Sequence, residues 1–517
     1  RIASLAPSVR SHFGSSKQHW LRAVMSASED LHVSLRCWSG EVIATCSIRS
    51  SNNFADLASQ LCSAVGSLND KQPHFIWNGV VQLKQTTALE AGLHDGCEIG
   101  LVWSCPQIPP EMYADLDEIT HGLSEKLDQG ISELHVDWEA AGNDGVMAIS
   151  KALPYCRLTH LELTHYVSSP EEAGDAMGRL AAALPCCCLQ TLCFRDTDFG
   201  REGDVTLFGH VLSARSNLLT TLQLRGALLR DAGTIAVAGA LPQCSLTALD
   251  LSCNRIGPDG LRALAEALPQ CKLQNLNLAE NHEVGQVSWR IFVEAISKSN
   301  LTTLDLSQNR LGDNGICILA EGLGKCSLLE LNLQRNYPEF PATMRALAEA
   351  LSLCGITALN LAGNNLCDEG LSLLGHALPR CSLKQLIISY NSLGDMGVTE
   401  LAEELPRTNL TALDLAANRI GNTGVHDVAR ALPKCSSLID LSLAGSFMEV
   451  SSAEAIAQAL PQCSLRHLNL IGSLDHADKA VIQAAARTTG CEVLDYGRRP
   501  QRMSSDGDDN ADFDLFD

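Results

Sequence analysis

The sequence predicts an α/β fold: a curved solenoid with a parallel concave sheet inside and helices outside, preceded by a small α+β domain. Three observations predict it. One phrase, Leu-x-x-Leu-x-Leu-x-x-Asn-x-Ile/Leu-Gly, recurs from about Leu134 to Leu494, with clean copies at Leu246–Gly257 and Leu301–Gly312. Apolar residues at helical spacing follow each copy and close on Leu-Pro-x-Cys, as in Pro258 to Cys271. Residues before about 104 lack the phrase and alternate like short strands. A fixed repeat dictates architecture, because each unit buries its apolar face only against its neighbours.

The central leucines are Leu134, Leu161, Leu192, Leu222, Leu249, Leu276, Leu304, Leu331, Leu359, Leu386, Leu413, Leu441, Leu468 and Leu494. Leu-x-Leu alternation gives a strand with one buried face. Pro258 suits a first helical turn and Pro269 ends the helix. Every strand then runs the same way, and fourteen at about 4.8 Å make an inner arc of roughly 65 Å. Asn254, Asn281, Asn309, Asn336, Asn364, Asn391 and Asn418 hold one turn position in the middle block. Their amides suit turns whose backbone groups have no ladder partner and are expected to bridge to the next unit. Tyr166, Thr197, Ala227, Ser446 and Ser473 replace them outside the block, so the end repeats are expected to be degenerate caps.

Residues 31–103 form the small domain. Leu31 to Trp38 and Val42 to Ile48 read as a hairpin around Ser39-Gly40, Phe54 to Val65 as a helix capped by Asn53, and His74–Trp77 and Glu98–Trp103 as two more strands. Residues 104–114, with Pro106, Pro109 and Pro110, read as a linker, 115–130 as a helix capping the repeats, 131–496 as the repeat domain and 497–517 as a disordered acidic tail. Residues 1–30 read as a disordered or targeting-like N-terminus. Arg1, Arg10, Lys17 and Arg22 precede the first acid, Glu29, which suits the end of an organelle transit segment. A chain starting at Arg1 is read as truncated or incomplete at that end.

Composition narrows function. Hydrophobic residues are 45% of the chain and aromatics 4%, so the core is aliphatic. A net charge of -22 argues against a nucleic-acid partner, whose backbone rewards clustered Lys and Arg. The absence of eighteen consecutive apolar residues argues against a membrane span. Cys156, Cys187, Cys244, Cys271, Cys326, Cys354, Cys381, Cys435 and Cys463 recur at one repeat position, which marks small buried hydrophobes and reduced thiols in a cytoplasmic setting. Cys186-Cys187-Cys188 lacks the paired spacing of a zinc site, so no metal and no cofactor are expected.

The repeat units resemble leucine-rich repeats of the ribonuclease-inhibitor type, as in ribonuclease inhibitor, the Ran GTPase-activating proteins and NOD-like receptors. The resemblance implies the horseshoe fold and leaves function to variable strand positions. Residues 31–103 resemble ubiquitin in element order, in Gly40 and Gly79 and in the Thr87–Leu89 stretch before Leu93. Laid over that family, Trp38, Ile76 and Val102 match its hydrophobic patch. That implies a ubiquitin-receptor type of partner. Trp38 replaces a leucine and Gly100 a flanking histidine; the strand runs into Ser104-Cys105-Pro106, so an integral domain is implied and not a conjugated one. The end of the tail, Phe513, Leu515, Phe516 and Asp517, resembles that of ribosomal stalk P-proteins, with Asp514 in place of a glycine.

No Walker loop, G-x-S-x-G, H-E-x-x-H or kinase signature occurs, so no catalytic residues and no enzyme are expected. On the concave face, Asp250, Asn277, Asp305, Asn332, Asn360 and Asp414 form a polar column, interrupted by Ile387 and closed by Ser442. Such a stripe suits a polar or basic partner. Arg195 and Arg225 sit at equivalent places in adjacent repeats, where two guanidiniums grip a carboxylate or phosphate. The resulting expectation is a non-catalytic adaptor that binds one protein through the ubiquitin-like domain and another through the concave face. The alternative is a GTPase-activating or regulatory protein resembling the Ran activators, with a small GTPase as partner. A NOD-like sensor lacks its nucleotide-binding loop.

Overall fold

The computed structural model describes the backbone of six strands between residues 20 and 103. Beyond these it describes residues 112, 115–117, 123–164, 173–184, 187–195, 212, 218–282, 285–338, 341–473 and 476–494 with most of their side chains. The chain divides into two compact units, residues 1–309 and 310–517.

The N-terminal strands are β1 (Trp20–Val24), β2 (Asp30–Arg36), β3 (Val42–Arg49), β4 (Pro73–Trp77), β5 (Val80–Gln82) and β6 (Glu98–Trp103), in the order β3-β2-β1-β6-β4-β5. The expected hairpin is β2–β3, with Leu31 opposite Ile48 and Leu35 opposite Ala44. Strand β4 pairs antiparallel with β6, Ile76 opposite Gly100. Strand β1 departs from the expectation, which left residues 1–30 outside the domain. It runs antiparallel to both neighbours, with Arg22 opposite Arg36 and Trp20 opposite Val102, and so separates β2 from β6. The ubiquitin-like reading made no provision for it, because Trp20-Leu-Arg-Ala-Val24 is too short a run to stand out among polar neighbours. Trp38 and the helix expected at 54–65 lie outside the described residues.

Within the segment read as a capping helix, residues 115–117 and Leu123–Asp128 are helical, with Leu116, Leu123 and Leu127 buried and the Ser124 N–H donating to Asp117 Oδ1 (2.9 Å). In the first unit the repeat strands are β7 (Glu133–Asp137), β8 (His160–Thr164), β9 (Thr191–Arg195), β10 (Thr221–Arg225), β11 (Ala248–Asp250), β12 (Asn275–Asn277) and β13 (Thr303–Asp305). All are parallel, and the register aligns Leu134, Leu161, Leu192, Leu222, Leu249, Leu276 and Leu304 in one row. The second unit has β14 (Glu330–Asn332), β15 (Ala358–Asn360), β16 (Gln385–Ile387), β17 (Ala412–Asp414), β18 (Asp440–Ser442), β19 (His467–Asn469) and β20 (Glu492–Leu494). There Leu331, Leu359, Leu386, Leu413, Leu441 and Leu468 align, and the row ends on Val493. Leu494 is not the central residue it was expected to be. It pairs with Asn469 and is exposed, a one-residue shift that moves a side chain to the other face.

Side chains alternate as the period of a strand requires, the central leucine buried and its neighbours partly exposed. Helices cover the buried side. Pro258–Ala267 buries Leu261, Leu264 and Ala265, and a 3-10 turn, Leu268–Gln270, leads out through Pro269.

Two ladders tie neighbouring repeats. The first is the asparagine stack. Asn281 is buried; its Oδ1 accepts from the N–H groups of Asn254 (3.1 Å) and Ile256 (3.0 Å), and its Nδ2 donates to Leu251 O and Leu278 O (both 3.0 Å). Asn309 Oδ1 accepts from Asn281 N (2.8 Å). The second unit repeats the pattern, Asn364 accepting from Asn336 N (2.7 Å) and Asn391 from Asn364 N (2.9 Å). Asn418 Nδ2 donates to Ile388 O (3.0 Å). The residue before each ladder position is left-handed. Cys253, Glu280, Gln308, Arg335, Tyr390 and Ala417 have φ between 51° and 59°, and Gly226, Gly363, Gly445 and Gly472 stand at the same place. Where Ser446 and Ser473 replace the amide, the shorter side chains make fewer bonds, and Ser446 Oγ is without a partner among the described residues.

The second ladder was not foreseen. Asp231 Oδ1 accepts from the N–H groups of Gly257 and Gly260 (both 2.8 Å), so an aspartate of one repeat caps the helix of the next. Asp395 does the same for Gly421 (2.7 Å) and Gly424 (2.9 Å), and Asp368 for Gly394 (2.6 Å). A carboxylate at a helix N-terminus satisfies orphan amides and complements the helix dipole. Glycine is required at Gly260 because an ideal Cβ there falls 2.7 Å from Asp231 Oδ1.

Replacing Asn281 by Ala strands the buried amides of Asn254 and Ile256 and the Leu251 carbonyl, while Leu278 O keeps Asn309 Nδ2. At about 1–3 kcal/mol per orphaned buried group the variant is expected to lose about 3 kcal/mol or more, read as a lowered Tm by calorimetry. Gly260→Ala is expected to destabilise by about 1–3 kcal/mol through overpacking. Gly239→Ala, on an exposed helix site with open space around the new methyl, should stabilise by up to about 1 kcal/mol. A loss at Gly239 as large as at Gly260 would contradict the close-approach argument.

Candidate binding face on the repeat strands

The register of β7 to β10 brings titratable side chains together on the partly exposed side of the strands. His135 aligns with Glu162, Glu162 with Cys193, and Arg195 with Arg225. His135 Nδ1 lies 2.5 Å from Glu162 Oε2, and Arg195 Nε donates to Glu162 Oε1 at 2.8 Å. The Glu162 side chain is 12% exposed, whereas Arg195 is 54% and Arg225 55% exposed. Arg225 Nη2 reaches Glu280 Oε1 at 3.8 Å, across two further repeats. His160 stacks obliquely on His135, ring centroids 5.7 Å apart, and its Nε2 is 3.9 Å from Cys193 Sγ. Burial, followed by the charge of Glu162, pushes the Cys193 thiol up to about 11, so it is protonated at neutral pH. Beneath this face Trp138 and Phe194 are fully buried with ring centroids 6.4 Å apart, which makes the floor stiff.

The arginine pair therefore stands side by side as the repeat spacing suggests, each guanidinium beside a carboxylate. The Asp/Asn column has a local task. Asp250 Oδ1 accepts from Ser252 N (2.8 Å), Asn277 Oδ1 from Ala279 N (2.9 Å) and Asp305 Oδ1 from Ser307 N (2.7 Å). Asn332, Asn360 and Asp414 take the N–H two residues on in the same way, at 3.0, 2.9 and 2.9 Å. These are Asx turns that end each strand, and only Asp and Asn place a carbonyl-type oxygen at that reach. Ile387 interrupts the series. Along β10–β13 the column borders a shallow trough of about 250 Å³, lined by Gln223, Asp250, Asn277 and Asp305 among others.

Ile76 and Val102 lie on β4 and β6, Trp38 lies outside the described residues, and so do Phe513, Leu515 and Phe516. Sequence reasoning missed His135, His160, Glu162 and Glu280. Their signal, partner-like residues at equivalent strand positions of successive repeats, was present but spread over the irregular early repeats.

The repeat cysteines are free thiols. Cys156, Cys244, Cys271, Cys381, Cys435 and Cys463 each end a 3-10 turn, Cys326 and Cys354 follow a helix end, and the Sγ of each donates to a preceding carbonyl, as Cys244 to Leu241 O (3.3 Å), Cys435 to Ala431 O (3.3 Å) and Cys326 to Gly322 O (3.2 Å). Thr408 takes the position once and bonds Leu405 O in the same manner (2.9 Å). The site thus asks for a small donor. Burial and a neighbouring thiol push Cys326 and Cys435 up to about 11. At pH 8 these cysteines are expected to alkylate with iodoacetamide at least about tenfold more slowly than the exposed Cys367, since the thiolate is the nucleophile. Peptide mass spectrometry measures this, and equal rates would contradict the buried-donor role.

Residues 243–265, 297–316, 353–375, 381–402 and 408–429 match the family model described as Leucine Rich repeat. These segments are leucine-rich repeats. Among curated proteins, NACHT, LRR and PYD domains-containing protein 12 of Mus musculus is 35% identical over 253 residues, which is 47% of this chain and 23% of that protein. The chain thus spans about a quarter of the length of the relative it matches. Among solved structures, the yeast Rad7 and Elc1 complex has a chain 17% identical with a TM-score of 0.42, covering 68% of this chain and 79% of that one. The TLR13–ssRNA13 complex gives 18% identity and a TM-score of 0.32, covering 66% and 43%. Leiomodin-1 actin-binding site 2 gives 17% and 0.26, covering 29% and 90%.

Proposed function

We propose that this chain is a non-catalytic adaptor that holds a protein partner on the partly exposed side of its repeat strands, with β7–β10 as the centre of contact. The observation that carries this reading is the alignment of Arg195 with Arg225 on neighbouring strands, both more than half exposed above a stiff floor. Arginines on strands about 4.8 Å apart, one turned towards Glu162 and the other towards Glu280, offer forked donors along a carboxylate-bearing segment. The Arg225–Glu280 pair, long and largely exposed, contributes only about 0–1 kcal/mol, so a partner carboxylate can replace Glu280 there at small cost, while Arg195 stays held by Glu162. The Asx turns fix the strand ends beside this pair, so the face meets its partner without reordering. The N-terminal domain fits the same reading as a second docking module, ubiquitin-like in its hairpin and closing strand, with Trp38, Ile76 and Val102 as its patch. The tail residues Phe513, Leu515 and Phe516 would add a short peptide contact.

The test is affinity capture with the full chain, followed by titration of the protein recovered. Arg195→Glu combined with Arg225→Glu is expected to weaken that association at least tenfold, about 1.4 kcal/mol. Arg262→Glu, a charge reversal on a helix, should leave it unchanged. Equal affinity in both variants would refute the assignment of the face. Stimulated GTP hydrolysis by a captured small GTPase would replace the adaptor reading with a regulatory one.

A further inference from the structure

We propose that His135, His160 and Glu162, with Cys193 beside them, form a zinc-binding site on the partly exposed side of β7–β9. The donor atoms of the two imidazoles and the carboxylate all lie within 4.8 Å of one another. Two imidazoles, a carboxylate and a thiol are the ligand types that zinc takes, and four of them complete its tetrahedron.

The donor atoms need modest movement to take a zinc ion, because Cys193 lies outside the group within 4.8 Å and approaches it through His160. Bond lengths of about 2.0–2.3 Å put tetrahedral ligand atoms about 3.3–3.8 Å apart. The His160 Nε2 to Cys193 Sγ separation is 3.9 Å, near that value. His135 Nδ1 and Glu162 Oε2, at 2.5 Å, share a hydrogen bond that must open by about 1 Å as the metal replaces the proton between them. His135 is the most exposed of the set, so it can move to do this.

Glu162 is already oriented for the task. Arg195 takes its Oε1 and leaves Oε2 directed at the imidazoles. A carboxylate fixed through one oxygen presents the other without losing rotamer freedom at the moment of binding, as partners of metal-ligating groups commonly do. The floor of Trp138 and Phe194 keeps β7 and β9 from spreading. The other cluster of this kind, His467 with Asp440 and Glu492, contributes one imidazole only. The site lies next to the proposed protein-binding arginines but does not depend on that reading.

The full chain, reduced and stripped of metal, is titrated with Co²⁺ and Zn²⁺. One Co²⁺ per chain should give tetrahedral visible absorption and a near-ultraviolet sulfur-to-cobalt band, both removed by Zn²⁺. His160→Ala is expected to weaken Zn²⁺ at least tenfold in calorimetric titration, and His135→Gln, at an exposed position, to do the same with the apo-protein melting unchanged. Cys193→Ser should remove the sulfur-to-cobalt band and retain the visible absorption. Zinc affinity unchanged in His135→Gln, or a sulfur band that survives Cys193→Ser, would overturn the assignment, as would the absence of a stoichiometric site in the parent chain.

Discussion

In the middle repeats each strand ends in a turn whose amides point inward, away from water, and the buried asparagine of the following repeat satisfies them. That interaction holds the rest in place. A turn containing a left-handed Cys253, Glu280 or Tyr390 costs about 1–2 kcal/mol per non-glycine residue. It persists because the next amide side chain accepts from it and donates back to the strand behind it. With the turn fixed, the central leucines must stack in register, since no other pairing keeps both the ladder bonds and the buried row. The aspartate caps at Asp231, Asp368 and Asp395 repeat the device at the helix ends. Both ladders join repeat to repeat, as a solenoid without a closed core requires.

The same constraint decides which side chains are available for function. The Asp/Asn column on the partly exposed side looks like a recognition stripe, yet each of the six members puts one side-chain oxygen into its own Asx turn. In the less regular early repeats, His135 and Arg195 instead meet Glu162 side chain to side chain, and Arg225 reaches Glu280 two repeats on.

The repeat architecture was legible because period, strand and turn are all local patterns. Asn254 to Asn418 could be identified as one turn position from spacing alone. The cysteines were legible as rungs from recurrence, although their bond to the preceding carbonyl was not, since it depends on how the chain leaves each helix. What escaped was every relation between repeats. Asp231 and Gly260 are 29 residues apart and meet only after stacking. His135 and Glu162 meet only through the β7–β8 register. Leu494 was misplaced by one residue because the step from Leu468 to its true partner Val493 is shorter than the repeat period. In the N-terminal domain, β1 was hidden by its brevity and its polar surroundings.

The central claim is that asparagine side chains, and not the strands alone, hold the turns. Amide hydrogen exchange of the full chain tests it most directly, because the amides that donate to asparagine lie outside regular strands. The account predicts that Asn254, Ile256, Asn281, Asn336 and Asn364 exchange as slowly as the strand amides of Leu249 and Leu359. Exchange of these five at the rate of the exposed Asn365 turn amide would contradict it.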